Sequence, residues 1–132
     1  MYLALGDGRL AMIDARDISE AAARVLVTPG HENTTYTLTG PRAISLHEVA
    51  TALGAALTRP VRYVPVPLEA ADDAMAKMGF DEWIRALMTD YFAAYSRNWR
   101  ATATEDFTRI VGRPPRSIDD FARDFAGAFG KR

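Results

Sequence analysis

Two stretches of the chain, LAMIDARDISEAAARVL (10–26) and TYTLTGPRAISLHEVATALGAAL (35–57), each set a short apolar run ahead of a helix with its own start signal. Strands alternating with helices normally lie parallel in a sheet that the helices cover. This order constrains the fold more than any other feature. It also carries a difficulty, because parallel strands need neighbours and only about three short strands can be read. No glycine-rich phosphate loop stands before either unit or after it.

In the first unit LAMI (10–13) is the apolar run. Asp17 then begins the helix, and Glu20 three residues on completes a capping box that satisfies free backbone N–H groups. Ile18, Ala21, Ala22, Val25 and Leu26 recur at helical spacing, and Thr28-Pro29-Gly30 ends the run. In the second unit TYTLT (35–39) alternates, is rich in β-branched residues and is stopped by Gly40-Pro41, so it reads as a strand. Ser45 and Glu48 form a second capping box, and Leu46, Val49, Ala50, Leu53 and Leu57 give that helix its buried face. Arg59-Pro60 turns the chain into VRYVPV (61–66), a strand that Pro65 confines to a sheet edge or a strand end.

From Pro67 onward the pattern is helical. Leu68, Ala71, Met75 and Met78 mark one helix closed near Gly79. Asp81 caps the next, with a stripe of Ile84, Leu87, Met88, Tyr91 and Tyr95. A loop over 96–103 leads to a short helix, TEDFTRIV (104–111), ended by Gly112. Pro114-Pro115 breaks the chain, and Ser117 caps a last helix with Ile118, Phe121, Ala122, Phe125 and Phe129 inward. No internal repeat and no linker long enough to divide domains is legible. The expectation is one α/β domain over 1–132 with about three short strands and six helices.

At 132 residues, with 48% hydrophobic and 25% charged content, the chain has the makings of one globular core. Its formal net charge of −1 gives no global field favouring nucleic acid or anionic membrane. The absence of cysteine removes disulfides, thiolate metal sites and cysteine nucleophiles together. Gly6, Asp7 and Arg9 interrupt the start too early for a signal-peptide core, and no apolar run approaches membrane-spanning length. These features lead to the expectation of a soluble, cytoplasmic protein.

Four segments, GDGRLAMIDARDISEAAARVL (6–26), TYTLTGPRAISLHEVATALGAAL (35–57), RPVRYVPVPLE (59–69) and VGRPPRSIDDFARDFAGAF (111–129), resemble in order the C-terminal part of the NmrA-like, atypical short-chain dehydrogenase/reductase family. The resemblance implies an incomplete Rossmann-like fold with a helix-rich C-terminal substrate lobe. In such proteins the N-terminal half carries the dinucleotide loop and most of the sheet. TYTLT would be the last strand of that sheet, and LAMID and VRYVPV strands of the lobe. Two departures qualify the match. The fingerprint G-x-G-x-x-G or G-x-x-G-x-x-G is found nowhere, and Gly6-Asp7-Gly8 precedes a strand instead of linking one to a helix. The tyrosine-lysine pair four residues apart is also missing, since the only lysines are Lys77 and Lys131.

Asp14, Arg16 and Asp17 stand at a strand-to-helix junction, where α/β folds bind ligands. Asp17 reads as a helix cap with Arg16 as its local ion pair; alternatively, Asp14 or Arg16 stands at the mouth of a substrate cleft, where the resemblance puts this junction. Trp83, Tyr91, Phe92, Tyr95 and Trp99 cluster late. Phe92 and Trp99 leave the helical stripe and are candidates to line an apolar pocket, with core or interface as the other reading. His31 and His47 have no legible nucleophile or orienting carboxylate and read as solvated. Neither they nor the carboxylates show metal-ligand spacing. Arg97, Arg100, Arg113 and Arg116 bracket Trp99, but Glu105, Asp106, Asp119 and Asp120 interrupt them, against nucleic acid.

The sequence therefore reads as the substrate-lobe portion of an NAD(P)H-dependent quinone or carbonyl reductase or epimerase-like protein. No catalytic, cofactor-binding or metal residues are expected in this chain alone, and NAD(P)H is expected for a complete family member. The other reading is a non-catalytic module that dimerises, or docks to a complementing N-terminal half, through an exposed sheet edge.

Overall fold

A computed structural model describes residues 1–129. Strands are reduced to four pairs of residues: β1 (Tyr2–Leu3), β2 (Arg9–Leu10), β3 (Ile44–Ser45) and β4 (Val64–Pro65). β1 runs parallel to β4, with Tyr2 opposite Val64, and β2 runs antiparallel to β3, with Arg9 opposite Ser45. Seven helices carry the rest among the described residues. They are α1 (Ala15–Val27), α2 (Leu46–Leu57), α3 (Leu68–Lys77), α4 (Glu82–Ser96), α5 (Asp106–Val111), α6 (Ile118–Asp124) and α7 (Ala126–Phe129). The α/β class stands, with more helix and shorter strands than the pattern suggested. No helix among the described residues is long and apolar enough to cross a membrane. Lys131 lies outside the described residues.

The helices associate in pairs: α3 on α4, α1 on α5, and α2 on α6 and α7. The main core gathers Leu5, Ile44, Leu46, Val49, Tyr63, Met75 and Phe92. Phe107 on α5 is wholly buried, which contributes about 2–3 kcal/mol of hydrophobic stabilisation. The Ser45–Glu48 and Ser117–Asp120 capping boxes both form, and Asp81 caps α4 by accepting from the Ile84 N–H at 2.9 Å. Gly112 closes α5 with φ 85°, a conformation that costs glycine little.

Several expectations are corrected. TYTLT (35–39) forms no strand among the described residues, because no neighbouring strand is there to pair with it. It is held instead by side chains. The Thr37 N–H donates to Asp106 at 2.7 Å, the Thr104 N–H donates to the Thr39 hydroxyl at 2.9 Å, and the Thr104 hydroxyl donates to the Thr37 carbonyl. Of VRYVPV only Val64–Pro65 is strand, and the LAMI run contributes only Leu10. The first helix starts three residues earlier than expected, because Asp14 and not Asp17 caps it. The final helix breaks at Phe125, and Phe129 remains 45% exposed. On α4 the stripe is rotated: Phe92 is the buried residue, while Leu87 and Tyr91 face solvent.

Candidate functional site

The segment after β2 runs against a glycine. The Gly40 N–H donates to the Ala11 carbonyl at 3.1 Å, and a Cβ on Gly40 would sit 1.8 Å from the Met12 carbonyl oxygen. Only glycine permits that approach, and the approach sets Met12–Asp14 beside Ile44. The capping box at Ser45 starts α2 there and presents Val49. The box at Ser117 starts α6 and presents Ile118 and Phe121 from the other side. These three walls enclose an open cleft of about 400 Å³, lined by Met12, Ile13, Asp14, Ala15, Ile44, Val49, Arg116, Ser117, Ile118 and Phe121. The lining is apolar except at Asp14, Arg116 and Ser117. Such a cleft selects by shape and apolar contact, with a few polar groups to orient a guest.

The polar groups at its edge are already engaged. Asp14 accepts the Arg16 backbone N–H at 2.8 Å and two donors of the same guanidinium, at 3.0 and 2.7 Å. Those bonds hold its carboxyl below the usual carboxylate range. Arg16 reaches on to Asp124 at 2.8 Å and lies over the Phe125 ring, 4.9 Å from its centroid. Its guanidinium is held above its ordinary value by Asp14 first and Asp124 second. Behind the wall, the wholly buried Asp17 takes the Arg116 backbone N–H at 2.6 Å, a bond from the Arg113 guanidinium at 2.8 Å and another from the Arg116 guanidinium. Arg113 also pairs with Glu20, and together these carboxylates keep its guanidinium above its ordinary value. Asp17 is thus the clamp that seats the start of α6 on α1.

Of the residues singled out in the sequence, Asp14 lines the cleft. Arg16 stands beside it, held by Asp14 and Asp124. Phe92 lies in the core, and Trp99 is 52% exposed just past the end of α4, beside the exposed Tyr91 and the half-buried Tyr95. The structure does not bring these four together. Met12, Ile44, Val49, Ser117, Ile118 and Phe121 were missed as cleft residues, because each reads as ordinary core or cap in the pattern. The one usable signal was Gly40, which the sequence shows only as a strand stop.

The histidines are correspondingly peripheral. His31 is half-buried, not freely solvated, bonded to the Tyr36 hydroxyl at 2.7 Å and the Thr28 hydroxyl at 3.0 Å. His47 lies 3.6 Å from Asp7 and packs edge-on against Tyr63. Among the described residues no group of three or more His, Asp or Glu side chains is placed to hold a metal ion.

The glycine pair near the start of the chain does not link a strand to a helix. Gly6-Asp7-Gly8 lies in the turn between β1 and β2, where the Gly8 N–H donates to the Leu5 carbonyl at 2.9 Å. A Cβ on Gly8 would meet the Tyr95 carbonyl at 2.3 Å, so this glycine serves packing against α4. The starts of α1, α2, α4 and α6 are filled by Asp14, Ser45 with Glu48, Asp81 and Ser117 with Asp120. At these four starts a pyrophosphate would meet carboxylates where it needs open N–H groups.

No protein-family model matches the chain. Individual relatives do. The NAD(P)H azoreductase of Xenophilus azovorans is 44% identical over 129 residues, covering 98% of this chain and 45% of that protein. Among solved structures, the NADPH-dependent quinone oxidoreductase QOR2 of Escherichia coli, complexed with NADPH, superposes with a TM-score of 0.83 at 23% identity, over 95% of this chain and 44% of that one. The triphenylmethane reductase of Citrobacter sp. gives 0.82 at 22% identity, over 96% and 44%. The chain spans a little under half the length of these relatives. Both solved relatives thus share its fold, and the azoreductase shares its sequence along nearly all of the chain. In sequence and in fold, the chain is therefore similar along nearly all of its length to part of these NAD(P)H-dependent reductases.

Proposed function

We propose that this chain is the substrate-binding lobe of an NAD(P)H-dependent oxidoreductase acting on a small apolar carbonyl or quinone, and that it acts only with a nucleotide-binding half. The observation that carries this reading is the 44% identity to an NAD(P)H azoreductase across almost the whole chain. The apolar cleft supports it, because such a site gives a substrate shape and dryness without acid–base chemistry of its own. NAD(P)H would supply the hydride when bound to the complete protein. The residues here would orient the acceptor by contact, through Met12, Ile44, Val49 and Phe121. Asp14, locked by Arg16, stays ionised and gives the cleft a fixed edge.

The chain is proposed to fold as a single domain over 1–132 in the cytoplasm and to take no dinucleotide in the family's mode by itself. Its partner would be a complementing N-terminal half or a second copy, with no nucleic acid or membrane. The segment 35–39 supports this. Among the described residues the N–H groups of Thr35, Tyr36 and Leu38 have no protein acceptor, which leaves an extended edge open to strand addition.

Calorimetric titration of the purified chain with NADPH should give no heat of binding. Co-expression with the nucleotide-binding half of the azoreductase should restore NADPH oxidation by a quinone. Micromolar NADPH binding by the chain alone, or failure of the assembled pair to oxidise NADPH with any quinone, would overturn the reading.

A further inference from the structure

Two walls of the cleft are joined by one side chain. Arg16 holds Asp14, on the wall that follows β2, through its Nε at 3.0 Å and one terminal nitrogen at 2.7 Å. Its other terminal nitrogen donates to Asp124, the last residue of α6, at 2.8 Å. The same guanidinium lies over the Phe125 ring, and that ring packs on Phe121 with centroids 4.8 Å apart. Asp14 and Phe121 both line the cleft, so Arg16 ties one wall to the other from just outside it.

The two arms of this tie are unequal. The Asp14 side chain is 4% exposed and receives the guanidinium on both oxygens as well as the Arg16 N–H. The Asp124 side chain is 42% exposed and receives one bond. An ion pair in contact with water is weak, and salt screens it further. The inner arm is the anchor, and the outer arm is the one that lets go.

α6 is fixed just as unequally. The wholly buried Asp17 takes the Arg116 N–H and seats the start of the helix, which then packs along α2. At the far end, Arg16 ties it to the start of α1 through the exposed pair. The arrangement is a hinge at Arg116 and a clasp at Asp124. The gap between Phe121 and the Met12–Ala15 wall therefore depends on whether the clasp is closed.

We propose that Arg16 is a positioning residue that sets the width of the cleft, its bond to Asp124 staying closed on small guests and opening for larger ones. This role rests on the reading of the chain as a substrate lobe for its purpose, though not for its test. The probes are 2-naphthalenemethanol and 1-pyrenemethanol, which carry the same group on two and on four fused rings. Both are neutral, so the guanidinium charge does not attract them. They are titrated by fluorescence into the full chain without any cofactor.

Asp124→Asn releases the outer arm and leaves Asp14 held. It should favour the pyrene over the naphthalene by about threefold relative to the parent, the scale of an exposed ion pair. Arg16→Met removes both arms and should shift the ratio at least as far. Arg16→Lys keeps the charge without the fork and should fall between the parent and Arg16→Met. Salt at about 1 M should bring the parent's ratio close to that of Asp124→Asn in the same salt. Because Asp124 is exposed, its variant decides the matter even where Arg16→Met fails to fold. A ratio unchanged by Asp124→Asn overturns the proposal, as does a parent that binds neither probe. Equal weakening of both probes makes Arg16 a structural tie alone and overturns it too. Because no NADPH is present, failure of the reductase reading would show in the complementation assay and leave these titrations unaffected.

Discussion

Asp17, in the first turn of α1, accepts the backbone N–H of Arg116 at 2.6 Å while its other oxygen takes bonds from the Arg113 and Arg116 guanidiniums. The carboxylate is wholly buried and the two arginine side chains are about a third exposed. Removing the carboxylate strands a peptide N–H and leaves the two guanidiniums with Glu20 as their remaining carboxylate partner. Asp17→Ala is expected to destabilise the chain by about 2–4 kcal/mol, the lower end reflecting the arginines' access to water. Asp17→Asn keeps an acceptor for the peptide and should cost less. Urea denaturation of both variants checks the order.

Gly40 leaves no room for a side chain. A methyl group there would overlap the Met12 carbonyl, so Gly40→Ala must push the 11–14 segment away from Ile44. The expected cost is about 1–3 kcal/mol, together with a distorted cleft. Gly79→Ala is a useful contrast, because a Cβ there meets nothing within 4 Å and only its φ of 85° opposes the change. Thermal unfolding should rank Gly40→Ala below Gly79→Ala.

Acid should weaken the start of α2 in a defined window. The Ser45 peptide N–H first, and the Arg42 guanidinium second, lower Glu48 from its ordinary 4.5 to about 2. A carboxylate depressed in the folded state stabilises fully above its unfolded value and loses that contribution as pH falls toward its folded one. Between pH 4.5 and about 2 the parent should therefore lose more stability than Glu48→Gln. Melting curves measured in steps across that range test this; parallel curves would rule out Glu48 as a contributor.

In the complemented protein, the cleft wall should set substrate affinity. Val49→Phe projects a larger side chain from α2 into the space and should raise KM for a small quinone by about tenfold while changing kcat less. Steady-state kinetics with two quinones of different size would show the larger one more affected.

Helix by helix, much of this was legible in the chain. Ser45 with Glu48, Ser117, Asp81 and Gly112 each marked an end that the structure confirms, because caps are local chemistry between residues three or four apart. What failed was long-range. Asp17 looks like a cap when read with Glu20, and only Arg116 and Arg113, far along the chain, make it a buried clamp. TYTLT has every property of a strand except a neighbour. The cleft was illegible for the same reason: Met12, Val49 and Phe121 come from three distant segments, and each looks like a core residue by itself. Phe92 and Tyr91 exchanged places because one residue turns a helix through about 100°.

The wall supplied by Ser117–Phe121 is made long after the segments it faces, and this sets an order of events during synthesis. At about 5–20 residues per second, the segments bearing Met12, Ile44 and Val49 are made seconds before α6 exists. Through that interval the nascent chain shows the bare floor of its cleft, and Asp17 waits for arginines not yet translated. The cleft is therefore completed only when α6 is made, and until then its apolar floor is open to chaperones, proteases and neighbouring chains.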